Sequence, residues 1–161
     1  MEISLRVEKI IETLDELYPN PSVPLDHVNP FTLLVAVVLS AQSTDKKVNQ
    51  VTKDLFQIAS DPLTMSKLKE KEIYEFIKEL GISKQKAKYI HKLSEKIHKQ
   101  FLNQVPRNFK DLESLPGVGH KTASVVMAQA FGIETFPVDT HIHRLAQRWG
   151  LTSGRNVVQT E

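Results

Sequence analysis

Hydrophobic residues recur at helical spacing through most of the chain. In the first segment they follow one another every three or four positions, and Pro19 and Pro21 end the run: Ile3, Val7, Ile10, Ile11, Leu14 and Leu17. The same spacing predicts further helices after Thr44, over residues 70–80 and over residues 83–101. Gly81 is the predicted stop of the second of these, Ser83 is the predicted cap of the third, and Pro106 is predicted to end it. Because no alternation of period two persists anywhere, the pattern predicts an all-α fold.

The segment from Phe31 to Leu39 is apolar on every side and contains neither glycine nor proline. It is so short that periodicity alone leaves a buried strand open. Its clear neighbours are all helical, however. We therefore predict a buried helix at the centre of the core.

Composition narrows the class of protein. The chain has 161 residues, of which 40% are hydrophobic and 25% charged, as in an ordinary soluble globular protein. No apolar run is long enough to span a bilayer, so we expect no membrane partner. The absence of cysteine excludes disulfides and cysteine-ligated metals in this chain and favours a cytoplasmic location.

The formal net charge of +2 hides an asymmetry between the two halves of the chain. Residues 1–80 carry 9 Lys and Arg against 13 Asp and Glu, a net charge of −4. Residues 81–161 carry 12 against 6, a net charge of +6. A basic half suits a surface that binds nucleic acid, although lysines on solvated helix faces would give the same count. The long helix from Ser83 carries six such lysines on its predicted outer face: Lys84, Lys86, Lys88, Lys92, Lys96 and Lys99.

A glycine hairpin, residues 115–121, separates a short predicted helix over residues 108–114 from another over residues 123–131. Proline ends the first helix, and the two glycines permit backbone angles that side chains forbid. Free N–H groups at the start of a helix bind anions, which on a nucleic acid are phosphates. The hairpin therefore predicts a phosphate site formed by Gly117, Val118, Gly119 and His120.

Two segments together resemble the endonuclease III family of DNA glycosylases. They read Leu115-Pro116-Gly117-Val118-Gly119-His120-Lys121-Thr122-Ala123 and Val138-Asp139-Thr140-His141-Ile142-His143-Arg144. The segment Ser40-Ala41-Gln42-Ser43-Thr44-Asp45 and Asn49 match the family as well. Helix-hairpin-helix elements alone occur in many DNA-binding proteins without catalysis, but the hairpin combined with the aspartate segment is specific.

The resemblance implies an architecture and a cofactor. It implies a six-helix barrel-like domain over residues 22–132, beside a second helical domain made of residues 1–21 and 133–161. It also implies a [4Fe–4S] cluster held by four cysteines near the C-terminus. This chain has no cysteine and stops at Glu161, so we expect a truncated enzyme with no cofactor of its own, the cluster being present only in a longer chain.

Lys121 is the predicted nucleophile. A free lysine has a pKa near ~10.4 and must lose a proton before it can attack a sugar. The positive end of a helix and partial burial would both favour the neutral amine. Such a lysine can form a Schiff base, the covalent route that the resemblance implies. The alternative is that Lys121 contacts a phosphate as a plain cation.

Asp139 is the predicted catalytic carboxylate. The chain between residues 121 and 139 is long enough to return to Lys121, since eight extended residues span roughly 28 Å against a helix of about 15 Å. The carboxylate could stabilise a cationic sugar or assist deprotonation of the lysine. Asp139 also precedes a helical run, so a helix N-cap is an alternative role, and the two roles are compatible.

Other residues are predicted to contact DNA. By the resemblance, Gln42 fills the gap left when a base is extruded, and Leu80 and Ile82 form an apolar wedge; a helix-end polar residue and ordinary core residues are the alternatives. Thr44, His141 and Arg144 lie in the matching segments and complete the predicted set. Because alternate residues of a helix point to different faces, His141 and His143 are not expected to share a metal ion with Asp139.

We therefore predict a base-excision repair enzyme that removes damaged pyrimidines from double-stranded DNA as a monomer and then cuts the abasic strand. One alternative is a monofunctional mismatch glycosylase, against which Lys121 argues, since those enzymes lack a lysine at this hairpin. The other is a helix-hairpin-helix module that binds DNA without chemistry. The residues around Lys121 do not form a nucleotide-binding P-loop, because glycine does not directly precede the lysine.

Overall fold

The computed structural model describes residues 2–161 and contains ten helices within them. They are α1 (Ile3–Leu17), α2 (Pro30–Ser40), α3 (Asp45–Ile58), α4 (Pro62–Lys67), α5 (Glu70–Ile77), α6 (Ser83–Gln100), α7 (Phe109–Glu113), α8 (His120–Phe131), α9 (Thr140–Arg148) and α10 (Val157–Thr160). The described residues contain no strand, which confirms the predicted all-α class.

The helices fall into two compact units. The larger unit is Pro24–Thr135 and holds α2 to α8. The smaller unit joins Phe136–Glu161 to the segment that ends at Val23, and it holds α1, α9 and α10. The sequence prediction had placed the corresponding divisions at residues 22 and 132.

Helix α2 forms the centre of the larger unit. Pro30 occupies its first turn, and Asn29 closes a capping box with Thr32, whose N–H donates to Asn29 Oδ1 at 2.8 Å. Every residue of Phe31–Leu39 is buried, and α2 packs against α3, α6 and α8. The predicted buried helix is confirmed, and the alternative of a buried strand is excluded because residues 30–40 form an α-helix.

The loop between α5 and α6 corrects the predicted helix boundaries. Helix α5 ends at Ile77 rather than at residue 80, and the left-handed residue is Ile82 (φ 50°), not Gly81. Gly81 is needed for another reason, since a Cβ there would lie 3.2 Å from the carbonyl oxygen of Gln42. Ser83 begins α6 without capping it.

The end of α6 and its lysine face also differ from the prediction. The helix ends at Gln100, because Leu102 and Asn103 adopt left-handed conformations before Pro106 is reached. Lys86, predicted to lie on the outer face, is buried with 1% of its surface exposed. None of the described helices combines the length and apolarity needed to cross a membrane.

Candidate active site

The glycine hairpin is built on a tight turn over residues 115–118. The Val118 N–H donates to the Leu115 carbonyl at 3.1 Å, with Pro116 and Gly117 (φ 79°) between them, the residue pattern of a type II turn. Val118 is 6% exposed and belongs to the core. The expectation that Val118 offers a free N–H is therefore wrong, because the turn itself uses that donor.

The two glycines of the hairpin have different roles. A Cβ on Gly117 would lie 2.7 Å from the Tyr89 ring, so this position requires glycine for both conformation and close approach. Gly119 has extended backbone and is the N-cap of α8, and a Cβ there would meet nothing within 4 Å. The surface over Gly119 is therefore open to a ligand at the start of a helix.

This contrast gives a testable prediction for stability. Gly117→Ala should lower the free energy of unfolding by about 2 kcal/mol, since alanine resists positive φ and its methyl group displaces Tyr89. Gly119→Ala is the matched control and should stay within about 1 kcal/mol of the parent chain. Denaturant unfolding of both variants measures the difference, and equal losses would contradict the assigned roles.

His120 is held by the helix on the other side of the hairpin. Its Nδ1 lies 2.7 Å from Glu113 Oε1, and its ring stacks on Phe109 with centroids 5.0 Å apart. Both partners belong to α7. These contacts fix the angle between α7 and α8, in addition to any contact with DNA that was predicted for His120.

Lys121 is the second residue of α8 and lies exposed. The part of the prediction that relied on burial of this amine is therefore wrong. The hairpin instead determines the position of Lys121, which lies in the first turn of α8 next to the open surface over Gly119.

Asp139 is the N-cap of α9. Its Oδ1 accepts hydrogen bonds from the N–H groups of His141 and Ile142, both at 2.9 Å. The capping role is thus present, and it fixes the orientation of the half-buried carboxylate. Asp139 belongs to the smaller unit and Lys121 to the larger one.

The histidines of α9 have other partners. His141 Nδ1 accepts a hydrogen bond from the Arg144 guanidinium at 3.1 Å, and both side chains are exposed. His143 Nδ1 lies 2.7 Å from Thr160 Oγ1. Among residues 2–161, no group of three His, Cys, Asp or Glu is placed to hold a metal ion.

Gln42 lies in a second turn, residues 40–43, which we call the glutamine turn. The Ser43 N–H donates to the Ser40 carbonyl at 3.1 Å, Ala41 has φ −56° and ψ 123°, and Gln42 has φ 55°. These are the angles of a type II turn, with glutamine at the position that glycine usually takes. An exposed, non-glycine residue held in this conformation marks a candidate functional site.

Residues 80–82, which we call the wedge loop, lie against the glutamine turn through the close approach of Gly81 to Gln42. Ile82 is 51% exposed, as a wedge requires, whereas Leu80 is 5% exposed. The structure thus places Leu80 in the core, which was the alternative reading of that residue, and leaves Ile82 as the exposed apolar side chain.

Thr44 and Asn49, two residues near the glutamine turn that match the family pattern, form hydrogen bonds within the protein. Thr44 caps α3 by accepting from the Lys47 N–H at 3.3 Å. The Asn49 side chain holds the backbone of residues 24–26, which precede α2. It donates to the Pro24 carbonyl and accepts from the Asp26 N–H, each at 2.8 Å. Thr44 stays exposed and available to a ligand.

Sequence reasoning missed the contribution of α6 to these two turns. Tyr89 supports Gly117, and Lys96 Nζ donates to the Ser114 carbonyl at 2.8 Å. Lys86 Nζ donates to Ser43 Oγ in the glutamine turn at 3.0 Å. The sequence did indicate burial of Lys86, because it lies four residues before Ile90 and therefore on the face of α6 that carries the buried apolar residues.

Comparison with known proteins identifies one family of DNA repair proteins. The family model for HhH-GPD superfamily base excision DNA repair proteins matches residues 35–161. The endonuclease III of Treponema pallidum (strain Nichols) is 48% identical over 149 residues, which cover 92% of this chain and 71% of that protein. A solved endonuclease III in a non-covalent complex with DNA gives a TM-score of 0.92 at 37% identity, covering 100% of this chain and 76% of that one. A trapped endonuclease III–DNA covalent intermediate gives the same values.

The chain therefore belongs to the HhH-GPD superfamily of base excision DNA repair proteins, within its endonuclease III family. This confirms the prediction of a base-excision DNA glycosylase with lyase activity. The family's iron–sulfur cluster is bound by cysteine thiolates, and none of the 161 residues is a cysteine. The residues of this chain therefore do not fit that cluster.

Proposed function

We propose that the chain removes damaged pyrimidines from double-stranded DNA and nicks the resulting abasic strand, acting as a monomer with Lys121 as nucleophile. The observation that carries this proposal is the match, over the full length of the chain, to an endonuclease III trapped as a covalent intermediate with DNA. A covalent intermediate requires a nucleophile, and Lys121 is an amine in the first turn of α8, beside the hairpin.

The chemistry follows from the amine. Neutral Nζ of Lys121 attacks the sugar carbon that bears the damaged base, and the bond to the base breaks as the base leaves with the electron pair. Opening of the sugar ring gives an imine between lysine and sugar. Loss of a proton from the neighbouring sugar carbon then expels the 3′ phosphate oxygen, so that the strand is nicked by β-elimination.

Asp139 has two tasks in this scheme. The carboxylate accepts the proton that Lys121 must lose, directly or through a water molecule, and it stabilises positive charge on the sugar as the base departs. Capping of α9 supports these tasks, because two hydrogen bonds to Oδ1 hold the group in one orientation without rearrangement.

Binding and extrusion use the other predicted residues. Gly117, Gly119 and His120 lie at the N-terminal end of α8 where a DNA phosphate would bind, with Thr44, His141 and Arg144 as further contacts. Gln42 fills the gap in the duplex while Ile82 separates the neighbouring bases. The exposed state of Gln42 and Ile82 supports this role.

Borohydride trapping tests the proposal directly. A duplex with one abasic site is incubated with the chain and sodium borohydride, which reduces the imine to a stable amine. We expect a covalent protein–DNA complex, and without borohydride a nick on the 3′ side of the site. A binding module without chemistry gives a mobility shift but neither product. A monofunctional glycosylase excises a base without forming the adduct.

A further inference from the structure

Lys86 is a buried cation that has no role in the proposed reaction. It lies in the second turn of α6 with 1% of its surface exposed, among the apolar residues Ala87 and Ile90. Burial lowers the pKa of its ammonium, as expected for a charge withdrawn from water. A buried ammonium costs stability unless its donors are satisfied, so this position calls for an explanation.

The partner of Lys86 lies in the glutamine turn. Its Nζ donates to Ser43 Oγ at 3.0 Å, directly after Gln42 in the chain. The wedge loop ends at Ile82, four residues before Lys86, and approaches the same turn at Gly81. An ion pair between Lys47 of α3 and Glu79, the residue before the wedge loop, lies nearby in the chain.

The glutamine turn needs external support. Gln42 is held at φ 55°, a conformation that costs a side-chain-bearing residue about 1 kcal/mol or more. Within the turn, the Ser43 N–H bond to the Ser40 carbonyl is the hydrogen bond that closes it. The bond from Lys86 attaches the turn to the core of the larger unit at the residue that follows Gln42.

We propose that Lys86 is a positioning residue for base excision, whose bond to Ser43 holds the glutamine turn in the left-handed form from which Gln42 enters the duplex. This inference rests on the proposed function, since it assigns to Gln42 the filling of the gap. The need for Gln42 is greatest when a paired base must be extruded. It is smaller at a preformed abasic site, where no base has to leave the stack.

The test compares Lys86→Met with Lys71→Met, which removes the same charge from an exposed position on α5. Methionine has similar length and no charge, so Lys86→Met is expected to fold with a melting temperature no lower than that of the parent chain. Excision of a damaged pyrimidine from a full duplex should fall about tenfold or more. Borohydride trapping at a preformed abasic site should change less than about threefold, so that the two activities separate.

A second variant and a measurement independent of activity complete the experiment. Ser43→Ala should reproduce the loss of excision, and the double variant should lose no more than either single one, because both remove the same bond. Amide hydrogen exchange at Ser43 should become faster in Lys86→Met and stay unchanged in Lys71→Met. Lys86→Arg, which keeps a donor, should restore part of the excision rate.

The outcomes separate this inference from the proposed function. Equal losses of excision and trapping, or an unchanged Ser43 exchange rate, would overturn the positioning role of Lys86. If the parent chain forms no adduct and excises no base, the proposed function fails. Faster Ser43 exchange in Lys86→Met would then still show that the bond from Lys86 stabilises the glutamine turn.

Discussion

Lys121→Ala is expected to abolish the borohydride-trapped adduct and to slow nicking of abasic DNA by about 10³-fold or more, the scale seen when a covalent nucleophile is removed. The reason is chemical, since alanine has no amine to form the imine. Binding should survive, because the hairpin turn over residues 115–118 is closed by the Val118 N–H and does not depend on residue 121. The measurement is denaturing electrophoresis of borohydride-treated reactions, with binding followed by anisotropy.

Lys110→Ala provides the matched control. Lys110 is an exposed lysine of α7, the other helix of the hairpin, and its removal changes the local charge by the same amount. It should keep the adduct and most of the nicking rate. Peptide mapping of the adduct identifies the linked residue. An unchanged adduct in Lys121→Ala, or one linked to another lysine, would exclude the assigned nucleophile.

Local sequence patterns predicted the helices and the hairpin because both are determined locally. Phe31 to Leu39 is buried on all sides, as its uniform apolarity indicated, and Asn29 and Pro30 define its start. The hairpin followed from Pro116 and Gly117, whose backbone preferences match the observed turn. Asp139 was predicted as a possible N-cap from its position alone, and the two hydrogen bonds to its Oδ1 confirm that part.

Features that depend on contacts between distant segments could not be read from the chain. Gly81 was interpreted as a helix stop, but its small size serves the approach of Gln42, 39 positions earlier in the chain. The left-handed conformation of Gln42 had no local signal, because glutamine is not a residue that favours it. Lys86 was predicted to lie with the solvated lysines because lysine is usually exposed, although its position in α6 is on the buried face.

Asp139→Asn separates the charge of this side chain from its capping role. Asparagine caps helices about as well as aspartate, so the bonds to the N–H groups of His141 and Ile142 can be kept. The free energy of unfolding should then fall by only about 0.3–1 kcal/mol, the contribution of an anion at a helix N-terminus. The turnover rate should fall about 10²–10³-fold, because the carboxylate no longer accepts the lysine proton or stabilises the cationic sugar.

Asp61→Asn is the control for this change. Asp61 caps α4 in the same way, with its Oδ1 accepting from the Thr64 N–H at 2.9 Å, and it has no proposed role in catalysis. Both variants should lose similar stability in denaturant unfolding, whereas single-turnover assays on damaged duplex should show a loss of rate for Asp139→Asn alone. If the two variants retain equal rates, Asp139 is a helix cap without catalytic function, and the proton of Lys121 must be removed by another group.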